Sequence, residues 1–403
     1  MKSCRFIYSS LPPELQSRQL MGKPAASFLE QELSRFKVTP SPVWDIQLGG
    51  HLLFNYPALV ILANAVREYR GNADQLNFLL QIDSATFDQY YSLQPDYLWQ
   101  KTSPNSLLRL PIVAKRTRPL PAGPGSSEDL TVELEARQSQ LGFPAGLCDD
   151  YPHSLPRCLL LPVSHPFDFL FANQIAVLNL LEEKTRHSPR AWLKAIFGKY
   201  PSDRSRRAIS GFRSIHPSAE IHPSAVIEGS IVEAGARIGA HSVVRYSYIG
   251  KAARLHDGAK VEFSVVGEGS WLMHDLVLYR CYVEREVFLI HGPYQFSGFQ
   301  NRSAAFATIM MDYRPDGKPI RVATSSGIKE YRGRFLGNIL QEGAKTLGGS
   351  LVAPGVIVPS DTWLSAEGSS IHRQPTPTSA KSRPLSPQSF GPFKQPELRE
   401  RQL

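Results

Sequence analysis

A six-residue spacing of aliphatic residues dominates the second half of the chain. From Ile215 to Leu289 these residues recur at intervals of 6, 6 and 5, and the spacing of six resumes from Leu340 to Leu364. It fits neither the helical period of 3.6 residues nor the two-residue alternation of a half-buried strand. Three short strands make one coil of a triangular solenoid, in which each aliphatic residue points inward and stacks on its counterpart one coil away. The spacing predicts a hexapeptide-repeat parallel β-helix at 214–366; an ordinary β-sandwich is the alternative.

The rhythm of this coil is interrupted once. Between Ser297 and Arg334 the six-residue spacing is lost. Within the interruption, Tyr313-Arg-Pro-Asp-Gly-Lys-Pro319 places an Asp-Gly turn between two strand-like runs, and Asp-Gly is a strong signal for a tight hairpin turn. We therefore expect a hairpin to project from the coil here.

The first 186 residues follow a different pattern, in which short apolar runs alternate with helical segments. Such alternation is typical of an α/β domain. A Pro/Gly/Ser-rich loop is expected at 116–129 and a polar, basic linker at 187–213. The segment 367–403 is rich in Pro, Ser and charge, and we expect it to be disordered because it has too little apolar surface to offset the entropy of ordering. Strands are expected at 4–8, 76–82, 107–115 and 158–162, and helices at 25–36, 56–70 and 166–184.

Composition narrows the class of protein. No apolar run approaches the roughly 18 to 20 residues of a membrane span, and the N-terminus shows no signal-peptide pattern. The four cysteines form no CxxC pair, which favours a reducing cytoplasm over a disulfide framework or a zinc site. The net charge of +9 is compatible with nucleic acid, an anionic membrane or phosphorylated small molecules as partners, but basic and aromatic residues do not interleave as in single-strand-binding proteins. We expect no nucleic-acid partner.

Three segments of the coil carry a family resemblance. His291-Gly-Pro-Tyr294 resembles a His-x-x-Tyr motif, and Ala307-Thr-Ile-Met-Met-Asp312 with Asp316-Gly-Lys318 resembles a Gly-Thr-Ile-x-x-Asn segment and its hairpin. The third segment is 336–346 with 350–355 behind it. All three are similar to the bifunctional sugar-1-phosphate nucleotidyltransferase/acetyltransferases, the type that makes UDP-N-acetylglucosamine. The resemblance implies a left-handed coil that forms a homotrimer.

The first domain resembles the same family more faintly. Two segments are similar to family segments: Leu20-Met-Gly-Lys-Pro24, and the stretch 165–173 at the start of the long helix. The place of the family's glycine-rich nucleotide loop is taken by Ser9-Ser-Leu-Pro-Pro13, which has no glycine. Without glycine the backbone amides cannot wrap a triphosphate in the usual way. We expect a shortened, degenerate nucleotidyltransferase-like domain without pyrophosphorylase activity.

Two residues of this domain remain weak candidates for nucleotide binding. Lys23 is either a phosphate ligand or a surface lysine, and Asp83 is either a Mg²⁺ ligand or a helix cap. Magnesium is expected only if the domain is active.

The resemblance also implies roles for residues of the coil. Acetyl transfer from a thioester to an amine needs a base, and a neutral histidine suits that task near pH 7, so the role falls to His291. Tyr294 would bind the sugar or its phosphate, and Lys345 would bind phosphate or the pyrophosphate of acyl-CoA. Further substrate contacts are assigned to Asp312, Arg321 and Arg332, and further acyl-CoA contacts to Ser350 and Ala353.

Asp312 departs from the family pattern, in which an asparagine occupies this place. An amide can donate a hydrogen bond, whereas an ionised carboxylate cannot and would repel a phosphosugar. Three interpretations therefore stay open. The protein is a hexapeptide-repeat acyltransferase that uses acetyl-CoA or another acyl-CoA and an amino sugar phosphate or nucleotide sugar; a non-catalytic scaffold or regulatory protein; or a sugar-1-phosphate nucleotidyltransferase.

Overall fold

The structure is a computed structural model that describes residues 4–36, 43–102, 104–117, 126–141, 151–189, 193, 209, 211–365 and 371–372. Within these residues no helix is long and apolar enough to cross a membrane. The expected linker at 187–213 and tail at 367–403 lie largely outside them; of the tail, Ile371–His372 forms a strand. The described cysteines, Cys4, Cys158 and Cys281, are all buried.

The first domain is built on a mixed sheet. Apolar residues alternate along its strands, so that Leu76, Phe78, Leu80 and Ile82 of one strand are all buried, as expected for a pleated strand between two layers. The strands are β1 (Cys4–Tyr8), β2 (Gln19–Leu20), β3 (Lys23–Pro24), β4 (Trp44–Leu48), β5 (Leu52–Phe54), β6 (Gln75–Asp83), β7 (Trp99–Thr102), β8 (Asn105–Arg116), β9 (Ser127–Glu133), β10 (Ala136–Leu141), β11 (Tyr151–Pro156) and β12 (Leu160–Pro162).

The order of the main sheet is β1-β4-β8-β6-β9, with β7 paired to β8. Strand β1 runs parallel to β4, and β6 runs parallel to β9, while β8 is antiparallel to both β4 and β6. The carboxyl ends of β1, β4, β6 and β9 therefore lie at one edge of the sheet.

Five α-helices accompany the strands. Asn55 caps the third helix by accepting a hydrogen bond from the Ala58 N–H at 3.3 Å, as cap residues commonly do. The helices are α1 (Pro13–Gln16), α2 (Ala25–Ser34), α3 (Tyr56–Glu68), α4 (Ser84–Thr86) and α5 (Phe167–Arg186), with a π-helical turn at Phe87–Tyr91 and a 3₁₀ turn at Asp96–Leu98. The expected strands and the three expected helices are present, with bounds shifted by a few residues.

The second half is a three-sided coil whose strands pair in parallel with strands 17 residues away. Face 1 consists of Arg213–Ile215, Ser230–Val232, Tyr248–Ile249, Val265–Val266, Tyr282–Val283, Gly298–Phe299, Ile339–Leu340 and Ile357–Val358. Face 2 consists of Glu220–Ile221, Arg237–Ile238, Arg254–Leu255, Trp271–Leu272, Phe288–Ile290, Ala304–Phe306, Lys345–Thr346 and Trp363–Leu364. Face 3 consists of Val226–Glu228, Val243–Arg245, Lys260–Glu262, Val277–Tyr279, Tyr294–Gln295, Ile309–Met310, Leu351–Val352 and Ile371–His372.

This arrangement confirms the predicted fold class, an α/β domain followed by a left-handed parallel β-helix. The aliphatic residue of each repeat points inward, and Ile238, Leu255 and Leu272 form one of the resulting buried stacks. Burial of about 25 cal/mol per Å² of apolar surface along these stacks stabilises the coil.

The coil is less interrupted than the spacing suggested. It continues through Gly298–Phe299, Ala304–Phe306 and Ile309–Met310, so only the segment 312–337 is inserted. One corner before the insertion is a residue shorter than usual, because Tyr294 pairs with Leu278, 16 residues away. The coil therefore continues through a corner that is one residue short. A search for a fixed spacing finds a break there, because the spacing itself changes.

The inserted segment forms the expected hairpin, but with a different turn and position. Its strands are Ile320–Thr324 and Gly327–Tyr331, so the Asp-Gly turn at Asp316 and Gly317 precedes the hairpin. Instead of projecting into solvent, the hairpin packs on the first domain, where the Tyr331 hydroxyl donates to the Gln89 carbonyl at 2.8 Å.

The first domain covers face 1 of the coil. Outward residues of this face, including Tyr248, Val265 and Tyr282, share one apolar core with the first domain. At the corner between faces 1 and 2, the buried carboxylate of Glu284 accepts a hydrogen bond from the Gln19 N–H at 3.0 Å. The Arg18 guanidinium lies 3.4 Å from the same carboxylate. The two halves are therefore packed together, and among the described residues the apolar core of the first domain takes in outward residues of face 1.

Candidate functional site

His291 lies at the shortened corner between faces 2 and 3. Its side chain is exposed and its φ is 50°, a left-handed conformation that costs a non-glycine residue free energy. The ring of His274, one coil earlier, meets it edge to face with centroids 5.4 Å apart. Two imidazoles thus share one exposed corner, of which sequence reasoning identified only His291.

A row of partly exposed aromatic and cationic side chains runs along face 2 next to this corner. The Arg254 guanidinium lies 4.5 Å from the centroid of the Trp271 ring, and Trp271 is 39% exposed. The rings of Phe288 and Phe306 continue the row, with centroids 6.4 Å from Trp271 to Phe288 and 5.7 Å from Phe288 to Phe306. We call these four residues the face 2 row. For Arg254, Trp271 and Phe288 the signal that could have found the row is the position just before the inward aliphatic residue, whereas Phe306 follows the inward Ala305.

Lys345 lies on the same face, two coils beyond Phe288 by strand pairing. Two strand spacings put about 10 Å between these backbones. Its ammonium group lies 4.7 Å from the centroid of the Trp363 ring, a cation–π contact. Lys345 and His291 therefore border the same side of the coil.

Tyr294 does not face solvent. It is fully buried at an inward position of face 3, and its hydroxyl donates to the Ile290 carbonyl at 2.9 Å. Burial raises the pKa of Tyr294 well above its ordinary value. The expectation that it binds a sugar is corrected: a large aromatic residue takes an aliphatic place in the core where the corner is short.

Ser350 and Ala353 are also parts of the coil itself. Ser350 is fully buried, and the described residues offer its hydroxyl no hydrogen-bond partner. Ala353 packs against the inner core, and its carbonyl accepts from the Asn338 side chain at 2.6 Å. The Ser350 side chain is therefore closed off within this chain, which corrects its assignment to acyl-CoA, whereas Ala353 is half-buried and its assignment stays a prediction.

Asp312, Arg321 and Arg332 belong to the inserted segment and not to the corner that carries His291. Asp312 stands where the inserted segment leaves face 3, and burial raises the pKa of its carboxyl to about 6. Arg321 and Arg332 belong to the hairpin region on the first domain; the Arg332 guanidinium lies 4.8 Å from the Trp99 ring centroid and 3.8 Å from the Asp88 carboxylate. The two arginines therefore belong to the hairpin side of the molecule, where buried hairpin residues join the core of the first domain, and their role in substrate binding stays a prediction.

Lys23 and Asp83 take the structural roles named as alternatives. The Lys23 ammonium donates to the Gln31 side chain at 2.9 Å on the surface. The Asp83 carboxylate caps α4 by accepting from the Thr86 N–H at 3.0 Å. Asp83 also borders a cleft of about 490 Å³ with Glu133 and Glu135, yet among the described residues no group of three or more His, Cys, Asp or Glu is arranged to hold a metal ion.

A larger cleft lies between the two halves of the molecule. It has a volume of about 770 Å³ and is bounded by the first domain, the hairpin turn and the coil. Its wall is largely apolar, with Pro95, Leu98, Pro111 and Phe169, and His51 and Arg109 lie among its polar groups. Sequence reasoning did not find this cleft, because it joins segments more than 200 residues apart.

Comparisons with known proteins add the following. No protein-family model matches the sequence, and no curated protein matches it significantly. Among solved structures, a mutant perosamine N-acetyltransferase from Caulobacter crescentus, in complex with CoA and GDP-perosamine, is 17% identical, with 47% of this chain and 72% of that chain covered and a TM-score of 0.19. A UDP-N-acetylglucosamine O-acyltransferase from Moraxella catarrhalis is 11% identical, with 38% and 62% covered and a TM-score of 0.24.

A third solved structure is the acetyltransferase domain of a Neisseria gonorrhoeae protein in complex with acetyl coenzyme A. It is 18% identical, with 38% of this chain and 54% of that chain covered and a TM-score of 0.15. The identity and TM-score are low in all three cases, and the coil of the present chain is defined by its own strand pairing.

Proposed function

We propose that this protein is an acyltransferase of the hexapeptide-repeat type. It transfers an acetyl or other acyl group from acyl-CoA to the amino group of a sugar phosphate or nucleotide sugar. The observation that carries the proposal is the exposed imidazole of His291, at a shortened coil corner, beside the face 2 row.

The residues around this corner fit an acyl-CoA donor. Trp271 and Phe288 offer flat apolar surface on which an adenine ring can stack, and Arg254 and Lys345 offer positive charge to phosphates. Acyl-CoA supplies an activated thioester carbon to the reaction.

His291 acts as the general base. As the amine nitrogen forms a bond to the acyl carbon, it loses a proton to a nitrogen of the His291 ring. The imidazolium then returns the proton to the thiolate that leaves when the carbon–sulfur bond breaks, so the free thiol and the amide are the products. The edge of the His274 ring limits the rotation of His291 and keeps its base nitrogen oriented.

The proposal includes a homotrimer. In one chain the His291 corner is open on its outer side, and the buried side chain of Tyr294 cannot complete a site there. Face 1 is covered by the first domain, so a neighbouring subunit would meet the coil on face 2 or face 3 and enclose the corner.

A thiol-release assay tests this function. Acetyl-CoA is offered with a panel of amino sugar phosphates and nucleotide-linked amino sugars, and turnover is measured for the wild type, His291→Ala and the control His222→Ala. His222 is exposed at an earlier corner of the same kind, bonded to Ser224 at 2.8 Å. We expect His291→Ala to lose about 10²- to 10⁴-fold in rate, the usual contribution of a general base, and His222→Ala to keep the wild-type rate.

The thiol-release assay and a pyrophosphate-release assay also test the two alternative functions. No turnover with any acceptor, or equal rates for the two histidine variants, would overturn the acyltransferase proposal and favour a non-catalytic scaffold. A nucleotidyltransferase would instead release pyrophosphate from a nucleoside triphosphate and a sugar-1-phosphate in the presence of magnesium. The surface contact of Lys23 and the capping role of Asp83 leave us expecting no such release.

A further inference from the structure

We propose that His274 and His291 together bind a divalent transition-metal ion, such as Zn²⁺, at the exposed corner between faces 2 and 3. Neutral imidazole is a common ligand for zinc, copper and nickel. The two histidines come from adjacent turns of the coil and lie side by side. An effect of the ion on acyl transfer rests on the proposed function, whereas the binding itself does not.

The register of the coil brings the two side chains together. Leu272 and Leu289 are paired in adjacent strands of face 2, and each histidine follows its leucine by two residues. The two residues therefore begin one strand spacing apart, about 4.8 Å. The shortened corner gives His291 a left-handed φ of 50°, and the two rings meet edge to face. The repeat itself thus holds two imidazoles next to each other.

The separation of the rings fits two ligands of one ion. With zinc–nitrogen bonds of about 2.0–2.1 Å, and about 1.2 Å from each nitrogen to its ring centroid, an ion lies about 3.2 Å from each centroid. Two imidazoles on a tetrahedral ion then have centroids about 5.2 Å apart. The observed centroid distance is 5.4 Å, with 76° between the ring planes. Rotation about the Cβ–Cγ bonds, which is soft for histidine, can bring one nitrogen of each ring to the ion.

The ring nitrogens of this pair are not used within the described part of the chain. An earlier histidine of the same corner, His222, bonds through Nδ1 to the Ser224 hydroxyl at 2.8 Å. The side chains of His274 and His291 have neither a hydrogen bond nor an ion pair with a described residue, and they contact each other. Both are exposed, so an ion can reach them from solvent. Two imidazoles at this distance chelate an ion, since the first bond raises the effective concentration of the second ligand.

The pair supplies two ligands, and water can supply the others. One coil earlier, the equivalent position is Asp257, whose carboxylate accepts from the Ala240 N–H at 2.7 Å and is held there. Among the described residues no group of three or more His, Cys, Asp or Glu is arranged to hold an ion. The site therefore has open coordination positions, unlike a closed structural zinc site with four protein ligands.

A bound ion would change the chemistry of the proposed base. A neutral imidazole has one nitrogen with a free lone pair, and a nitrogen that ligates a metal ion can no longer accept a proton. Occupancy of the site would therefore inhibit acyl transfer, and a chelator that removes the ion would restore it. The second imidazole, His274, is what makes the proposed active corner sensitive to metal ions.

Isothermal titration calorimetry of the full chain with ZnCl₂ and, separately, NiCl₂ tests the site without an acyl donor or acceptor. We expect a single ion per chain. His274→Ala and His291→Ala should each weaken binding at least about tenfold, since even residues that only orient a metal ligand contribute about 10- to 100-fold. His241→Ala is the matched control, because His241 is exposed at the same corner and its ring meets no second imidazole among the described residues. It should bind the ions like the wild type.

The outcomes of the calorimetry are distinct. Binding that is weakened in both pair variants and unchanged in the control supports the site. No binding up to about 1 mM of either ion, or equal binding by the wild type and both pair variants, would overturn it. Weaker binding in only one of the two pair variants would also overturn it, because a single imidazole would then account for the affinity.

Transfer of a labelled acetyl group separates this inference from the proposed function; thiol release is unsuitable here because the released thiol itself binds zinc. We expect zinc to inhibit the wild type, and His274→Ala to need at least about tenfold more zinc for half-inhibition, whatever its rate without zinc. An unchanged rate at saturating zinc would overturn the role of His291 as the base, while the calorimetry still decides the metal site. Binding that depends on both histidines would support the site even if no acyl transfer is found.

Discussion

Asp312 shows how burial changes the chemistry of one side chain. Its carboxyl lies at the base of the inserted segment, where burial raises its pKa from an ordinary 3.8 to about 6. The resembled family has a neutral amide at this place, and at mildly acidic pH the protonated carboxyl of Asp312 is neutral as well. The substitution therefore alters the site mainly above about pH 6.

The first prediction concerns the pH dependence of stability. Between about pH 4 and pH 6 the unfolded chain ionises Asp312 while the folded chain keeps it protonated, so the free energy of unfolding falls as pH rises through this window. Asp312→Asn removes this contribution. The variant should be more stable than the wild type above pH 6, by on the order of 1 kcal/mol after allowance for partial solvent screening, and the difference should vanish below pH 4. Urea unfolding at pH 4 and pH 8 measures the difference in free energy of unfolding between the variant and the wild type. The same difference at both pH values would contradict the raised pKa of Asp312.

Single residues also show which parts of the candidate site could be predicted from the sequence and which could not. His291 and Lys345 border one side of the coil, because both occupy positions that the repeat directs outward. Tyr294 fits the same motif, but one missing residue at its corner turns its ring into the core. Whether a motif residue faces inward or outward depends on the local length of the corner, which the motif alone does not state.

At the scale of elements, the hairpin joins the coil to the first domain. Its buried residues Ile320, Val322 and Tyr331 belong to the core of the first domain, and the Lys329 ammonium contacts Asp96 at 2.8 Å. On the coil side, Gly355 lies under the hairpin with a φ of 78°. The hairpin is thus held on both sides.

The second prediction tests the contact between the hairpin and Gly355. A Cβ at position 355 would lie 2.7 Å from Ile320 Cγ2 and 3.0 Å from the Arg321 carbonyl, so Gly355→Ala must displace the hairpin in addition to straining the backbone. Gly235→Ala is the matched control, since its φ is 66° and a Cβ there meets nothing within 4 Å. We expect the control to lose about 1 kcal/mol of stability from backbone strain and Gly355→Ala to lose about 1–3 kcal/mol more from overpacking. Thermal unfolding measures the stability of both variants. Equal losses of stability would show that the hairpin can shift away from position 355 without a further cost in free energy.

The elements themselves were largely predictable. The coil and the strands and helices of the first domain follow from periodicity, which reports which face of an element is buried. The position of the hairpin did not follow, because the Asp316-Gly317 turn is a local signal, whereas the contact of Tyr331 with Gln89 joins residues far apart in sequence. The large cleft could not be predicted for the same reason, since its lining residues are also far apart in sequence.

At the scale of the whole molecule, the two halves depend on a few charged contacts around Glu284. Its carboxylate is fully buried, and burial raises its pKa to about 7. The nearby Arg18 guanidinium, which also lies 3.4 Å from the Glu342 carboxylate, opposes that rise. The Arg18 guanidinium therefore limits the cost of burying the Glu284 carboxylate where the first domain docks on the coil.

The third prediction follows from this contact. Arg18→Ala leaves Glu284 buried without its cation, and removal of one partner of a buried ion pair costs about 3 kcal/mol. Amide hydrogen exchange should rise along face 1 and in β2, while the distant part of face 3 stays protected. Arg35→Ala is the control, since Arg35 pairs with Glu183 inside the first domain. Exchange along face 1 that equals that of the control would show that the apolar contacts alone hold the two halves together.

The short corner at His291 has a consequence for how such a chain can change over generations. The regular coil tolerates the loss of a single residue at one corner, and the stacks of buried side chains continue on either side. A deletion of this kind exchanges which side chain occupies the corner and leaves the other coils in register. Solenoid proteins can in this way acquire or discard a reactive group one turn at a time, with the remainder of the molecule inherited intact.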